Sequence, residues 1–141
     1  MDYYQSEAEI EAVVQGFESC GTAPEEFNHR SHLTVAVWYL KRSTPDEAVQ
    51  KMRGGLFRFL DHHGVGRGKY HETLTIFWIK LVWSAMDEME NATSMVQATN
   101  SVIERLSDPR VISEYYSADC LKSEAAKNGW VEPDRKSLEV L

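Results

Sequence analysis

The chain has 141 residues, of which 43% are hydrophobic and 26% are charged, as in a globular protein of one domain spanning residues 1–141. Its net charge of −7 argues against a nucleic-acid-binding protein, which needs a basic surface. The acidic start does not resemble a signal peptide, the longest apolar run is too short to span a membrane, and two widely separated cysteines suggest reduced thiols, so we expect a cytoplasmic protein.

Two capped helices are predicted near the amino terminus. Ser6 and Glu9 have the spacing of a capping box, which predicts a first helix over about residues 6–19. Asn28 is a favourable N-cap for a second helix over about residues 29–42. Each helix carries apolar residues at helical spacing and must therefore bury one face.

A third helix is predicted to begin at Pro45. Thr44 provides a cap, proline occupies the first helical position, and acidic residues follow in the first turn. Gly54 and Gly55 lie in its middle, where each glycine costs about 1 kcal/mol relative to alanine, so we expect another helix to pass close by. The glycine-rich residues 64–68 then form either a hinge or an anion-binding turn.

The stretch from about 69 to 90 predicts a central helix. Its middle is apolar on nearly every side, so the helix should lie at the centre of the domain. Its first turn is polar, and buried polar groups need partners. The polar residues are Tyr70, His71, Glu72 and Thr73. Lys80 interrupts the apolar run and is expected to reach the surface or to pair with an acidic side chain.

The remaining residues predict one more long helix and two short ones. The long helix covers about residues 93–106 and starts at the caps Asn91 or Thr93. Short helices are expected over about 108–116 and from Ser117 or Asp119 to Asn128. No stretch alternates with period two. The fold class is therefore all-α, a single-domain helical bundle of five main helices with short carboxyl-terminal helices.

Histidines at ligand spacing suggest a metal site. His29 and His32 stand at i and i+3, so their side chains share one helix face. His71 is the expected third ligand, and Glu72 the fourth ligand or a proton acceptor beside Tyr70. Such nitrogen and oxygen donors suit zinc, iron, copper or nickel as the cofactor. Thr75 stands where the zinc-protease helix motif has its second histidine, so that motif is excluded.

Other interpretations of the same residues stay open. In a metal-free protein, the polar cluster would hydrogen-bond a small acidic or carbonyl ligand, with Thr73 and Trp78 contacting it. The histidines could also be simple helix-end residues facing solvent. A third hypothesis is a structural or interaction domain that forms a homodimer through exposed aromatic residues. Those residues are Tyr3, Tyr4, Tyr115 and Tyr116. Whether the chain is an enzyme is left open.

The chain also resembles a family of uncharacterised small bacterial all-helical proteins. The matching motifs are Phe27–Leu33 (FNHRSHL), Trp38–Leu40, Lys69–Thr73 (KYHET) and Trp130–Asp134. The resemblance implies that these segments belong together in the fold. It implies no particular activity.

Overall fold

The computed structural model describes residues 2–90 and 93–138, which contain eight α-helices and no strand. The all-α fold class is thus confirmed for the described part of the chain. The helices are α1 (Glu7–Glu18), α2 (His29–Arg42), α3 (Pro45–His62), α4 (Glu72–Asp87), α5 (Met95–Leu106), α6 (Ile112–Tyr115), α7 (Ala118–Lys122) and α8 (Glu124–Asn128). Short 3₁₀ turns lie at Pro24–Glu26, Arg67–Lys69 and Pro109–Val111. None of the described helices is long and apolar enough to cross a membrane.

The first three long helices start where their caps predict. The Ser6 hydroxyl accepts a hydrogen bond from the backbone N–H of Glu9 at 3.3 Å, and the Glu9 carboxylate accepts one from the backbone N–H of Ser6 at 3.0 Å. Thr44 begins α3 with the same reciprocal arrangement. The Asn28 side chain accepts the backbone N–H of Ser31 at 3.0 Å. These bonds satisfy N–H groups that have no partner within the helix.

Two predicted boundaries near the carboxyl-terminal half were wrong. The α5 helix starts after Ser94 rather than at Thr93, because Ser94 has Gln97 three residues on and forms a capping box with it. The other suggested cap, Asn91, lies outside the described residues. The single helix predicted up to Asn128 is two helices, since Ser123 ends α7 and its hydroxyl caps the start of α8.

The most buried element is α2 rather than the predicted central helix. It packs against α1, α3, α4 and α5, and its residues 33–37 are all buried. The α4 helix instead separates two apolar clusters. Ile79 and Val82 face the main core, whereas Phe77 and Leu81 pack in a smaller cluster with the carboxyl-terminal segment. This position explains why α4 is apolar on nearly every side.

Of the two glycines in α3, one is required by a close contact. A Cβ atom at Gly55 would lie 2.6 Å from Cε2 of Phe17 on α1. A Cβ atom at Gly54 would meet nothing within 4 Å. The predicted close approach of another helix is therefore confirmed for Gly55 and absent at Gly54.

The segment that follows α8 is fixed to the beginning of α4. The Thr73 hydroxyl donates to the Gly129 carbonyl at 2.6 Å and accepts the Val131 N–H at 3.2 Å. The Trp130 ring lies beside the ammonium of Lys80, whose Nζ is 5.4 Å from the ring centroid. Lys80 therefore reaches an aromatic face of this segment rather than an acidic partner.

The tyrosines proposed as a dimer surface are mostly covered. Tyr116 is 1% exposed, and its hydroxyl donates to the Val131 carbonyl at 2.6 Å. Tyr4 is partly buried, and its hydroxyl lies 3.1 Å from that of Thr34. Tyr3 remains exposed at 42%. The aromatic pattern therefore reflects packing at Tyr4 and Tyr116, because both hydroxyl groups find partners inside the protein.

Candidate functional site

A cavity of about 460 Å³ opens between α2, α3 and the beginning of α4. This volume lies within the range of about 300–1,000 Å³ that is typical of small-molecule sites. Most of the wall is apolar and partly aromatic. It includes Phe27, Leu33, Phe59, Leu74, Trp78 and Ile79. The cavity thus offers a largely apolar surface to a ligand.

All three histidines proposed as ligands line this cavity. His29 and His32 come from the first turn of α2, and His71 is the N-cap of α4. The structure therefore brings together imidazoles that are far apart in sequence. Their hydrogen bonds differ, and these bonds decide what each ring can still do.

Both ring nitrogens of His71 are engaged within the protein. Nδ1 accepts the backbone N–H of Leu74 at 3.2 Å, which requires an unprotonated nitrogen. Nε2 lies 2.7 Å from the Leu121 carbonyl and donates its hydrogen there. Because one nitrogen caps α4 and the other holds α7, His71 has no lone pair left for a ligand.

His29 uses one nitrogen in the same way. Its Nε2 lies 2.8 Å from the Leu106 carbonyl, so this nitrogen donates a hydrogen bond there. Its ring packs edge-on against Trp78, with centroids 4.6 Å apart. His29 is therefore oriented by α5 and by the indole that forms one wall of the cavity.

Among the three histidines that line the cavity, His32 is the one with neither ring nitrogen hydrogen-bonded within the described residues. No side chain or backbone group of the described residues hydrogen-bonds to its ring, and its accessible surface lines the cavity. The ring packs against Phe27, with centroids 4.4 Å apart. Burial, and secondarily the neighbouring His29, lowers the pKa of His32 to about 4. At neutral pH the imidazole is therefore uncharged and presents one donor and one acceptor.

Two of the three histidines of the predicted metal centre are engaged in hydrogen bonds within the protein. Within residues 2–90 and 93–138, no group of three or more His, Cys, Asp or Glu side chains could hold a metal ion. To bind a metal ion through Nδ1, His71 would have to give up the hydrogen bond from Leu74 N–H, and Nε2 could keep its bond to the Leu121 carbonyl. A transition-metal cofactor held by His29, His32 and His71 therefore stays a prediction.

Glu72 faces away from the histidines. Its carboxylate forms a bidentate ion pair with Arg53, with Nε 2.9 Å from Oε1, and Oε1 also accepts the Tyr70 hydroxyl. The hydrogen bond from Arg53 holds the pKa of Glu72 below its usual range. Burial and the bond to Glu72 raise the pKa of Tyr70 to about 12. Glu72 therefore pairs with Arg53 of α3 and does not line the cavity that the three histidines share.

The two residues predicted to contact a substrate are separated. Trp78 lines the cavity, seven positions beyond His71 on the same helix side. Thr73 is fully buried beneath Gly129 and Val131 and does not line the cavity. Trp78 therefore keeps its predicted position, whereas Thr73 fixes the carboxyl-terminal segment.

Sequence reasoning missed the aromatic wall from Phe27 and Phe59. Their ring centroids lie 5.3 Å apart, and both rings pack against Phe17. Phe59 is one of several apolar residues of α3, and Phe27 lies in the segment before α2. Their shared role depends on which face of α3 meets α2, which periodicity does not determine.

The mouth of the cavity carries the loop between α3 and α4. Gly64 and Gly66 have φ of 69° and 86°, which favours glycine, and the Val65 side chain between them is 41% exposed. Lys69 is exposed and also lines the cavity. The opening thus combines an apolar side chain with a cation.

No known protein family, curated protein or solved structure matches this chain. The resemblance to small bacterial proteins therefore stays a prediction. Three of the four segments that carry it adjoin in the structure. Residues of both 27–33 and 69–73 line the cavity, and Thr73 bonds to Val131 within the fourth motif region.

Proposed function

We propose that this protein binds a small, largely apolar molecule in the cavity, with His32 as the hydrogen-bonding anchor. The observation that carries the proposal is an uncharged imidazole that faces an apolar cavity and has no partner among the described residues. His32 is partly buried, and a ligand in the cavity would remove water from its ring, so a ligand that supplies a hydrogen-bond partner is favoured over one that does not.

Apolar and polar parts of the cavity wall contribute differently to ligand affinity. Apolar contact with Phe27, Phe59 and Trp78 supplies most of the affinity, at roughly 25 cal/mol for each Å² of apolar surface removed from water. The hydrogen bond to His32 adds about 0.5–1.5 kcal/mol and fixes the orientation of the ligand. A carbonyl or hydroxyl group matches the donor and acceptor of the neutral ring.

Decanol is a suitable first probe because it combines an apolar chain with one hydroxyl group. We expect calorimetric titration to show binding by the wild type, and binding weaker by roughly 2- to 10-fold in His32→Leu, since only the hydrogen bond is lost. Leu56→Trp places a larger side chain on the cavity wall and should abolish binding. His62→Leu, on an exposed histidine, is the matched control and should bind decanol as the wild type does.

Circular dichroism of each variant establishes that it is folded before its binding is compared. Unchanged decanol affinity in folded His32→Leu and Leu56→Trp would show that decanol binds elsewhere and would refute the proposal. A parallel titration of Glu72→Gln separates this proposal from the site first predicted. The carboxylate lies outside the cavity, so the affinity should not change.

A further inference from the structure

The charges around the cavity restrict the ligand further, on the premise that the proposed function is correct. We infer that the ligand is an amphipathic monocarboxylate: its carboxylate stays at the mouth beside Lys69, and an uncharged hydroxyl or carbonyl at its far end reaches His32. Lys69 and His32 both line the cavity, one exposed and the other partly buried.

Lys69 is the single Lys, Arg, Asp or Glu among the described residues that line the cavity. No carboxylate of the described residues lies within 4.0 Å of its ammonium, whereas the neighbouring Arg67 pairs with Asp61 at 2.9 Å. An amine ligand would meet a cation at the entrance and no acidic partner inside. An anion at the entrance would find an unpaired opposite charge.

The interior disfavours a charged group. His32 lies against Phe27 and beside a second imidazole, and no lysine or arginine reaches this part of the wall. A carboxylate placed there would lose its hydration without gaining a cation, unless the imidazole took up a proton. The charged end therefore stays outside, and the uncharged end enters.

The mouth suits such a molecule because cationic and apolar side chains adjoin there. Val65 exposes its side chain between two glycines that hold positive φ, and Lys69 follows in the next turn. An alkyl or aromatic stem can pass Val65 while its carboxylate remains hydrated near the ammonium. Such an exposed ion pair contributes modestly to affinity and weakens with salt.

Three probes separate the two ends: decanol, decanoate and omega-hydroxydecanoate. Lys69→Gln should weaken binding of both acids by about 2- to 5-fold at low ionic strength, and leave decanol unchanged. His32→Leu should weaken binding of decanol and of the hydroxy acid, and leave decanoate unchanged. Lys122→Gln on α7, an exposed lysine that does not line the cavity, is the matched control for all three probes.

Proton uptake tests the orientation independently. Titration of decanoate at neutral pH in phosphate and in Tris, buffers with different ionisation enthalpies, should show the same binding enthalpy after correction for dilution. Uptake of about one proton would place the carboxylate at His32 and overturn the inference, as would wild-type decanoate affinity in Lys69→Gln.

The probes also distinguish failure of this inference from failure of the proposed function. Binding of decanol to the wild type without binding of either acid would overturn the monocarboxylate inference and leave the proposed function intact. Absence of binding for all three probes would count against both.

Discussion

Alanine substitution at two adjacent glycines should shift stability in opposite directions. Both Gly54 and Gly55 lie inside α3, where alanine is favoured over glycine by about 1 kcal/mol. At Gly54 the new methyl group meets nothing within 4 Å, so Gly54→Ala should stabilise the protein by up to about 1 kcal/mol. At Gly55 the same gain is opposed by a clash with Phe17.

The clash at Gly55 is severe because neighbouring aromatic rings hold Phe17 in place. The methyl carbon would lie 2.6 Å from Cε2 and 2.7 Å from Cζ of Phe17, which is fully buried. Phe27 stacks on that ring at a centroid distance of 4.6 Å, and Phe59 lies at 5.8 Å. Overpacking of this kind costs about 1–3 kcal/mol, and the fixed ring favours the upper part of that range. After the helix gain, Gly55→Ala should destabilise by about 1–2 kcal/mol.

Urea unfolding followed by circular dichroism measures both changes, provided that the slope of the free energy against urea concentration stays constant. The destabilisation caused by Gly55→Ala should be smaller in a Phe17→Leu background than in the wild type, because the ring atoms in contact are removed. A shift of the free energy of unfolding in the same direction by both alanine variants would refute the predicted clash with Phe17. Since Phe27 and Phe59 line the cavity, only Gly55→Ala should also weaken decanol binding.

Other predictions concern pH, the carboxyl-terminal segment and metals. The pKa of His32 is about 4 in the folded protein and near 6.5 when unfolded. Between these values only the unfolded chain takes up the proton, so the free energy of unfolding is highest above pH 6.5 and falls as the pH drops towards 4. That loss is at most about 3 kcal/mol, and urea unfolding of His32→Leu should show a shallower decline between pH 6.5 and 4. Thr73→Val removes the bonds to Gly129 and Val131 and should cost about 1–3 kcal/mol in the same assay; a neutral effect would show that neither bond matters. Elemental analysis of protein purified without a His-tag should find under about a tenth of an equivalent of zinc, iron, copper or nickel, and a full equivalent lost in His71→Ala would instead support the three-histidine centre.

Local signals along the chain predicted the helices well because helix ends are decided by a few neighbouring residues. Ser6 with Glu9, and Thr44 with Glu47, satisfy backbone N–H groups within one turn, so the spacing alone predicts the structure. Ser123 was missed for a related reason. A serine that ends one short helix and begins the next leaves no glycine or proline to mark the break.

The candidate site was predicted only in part because it depends on contacts between distant residues. The convergence of His29, His32 and His71 followed from two helix beginnings, and the structure places all three rings on one cavity. The hydrogen bonds from His29 and His71 to backbone carbonyls of α5 and α7 cannot be predicted from the sequence pattern. Nor could the pattern show that Glu72 pairs with Arg53, since that depends on how α3 lies against α4.

The fastening of α4 by the segment after α8 has a consequence for synthesis on the ribosome. One cavity wall begins at residues 69–75, yet the carbonyls and the amide that hold Thr73 and His71 belong to residues 121, 129 and 131. A nascent polypeptide that has emerged only as far as α5 leaves those side chains without their partners. The binding chamber can therefore reach its final form only after translation has passed Val131 and that residue has cleared the exit tunnel.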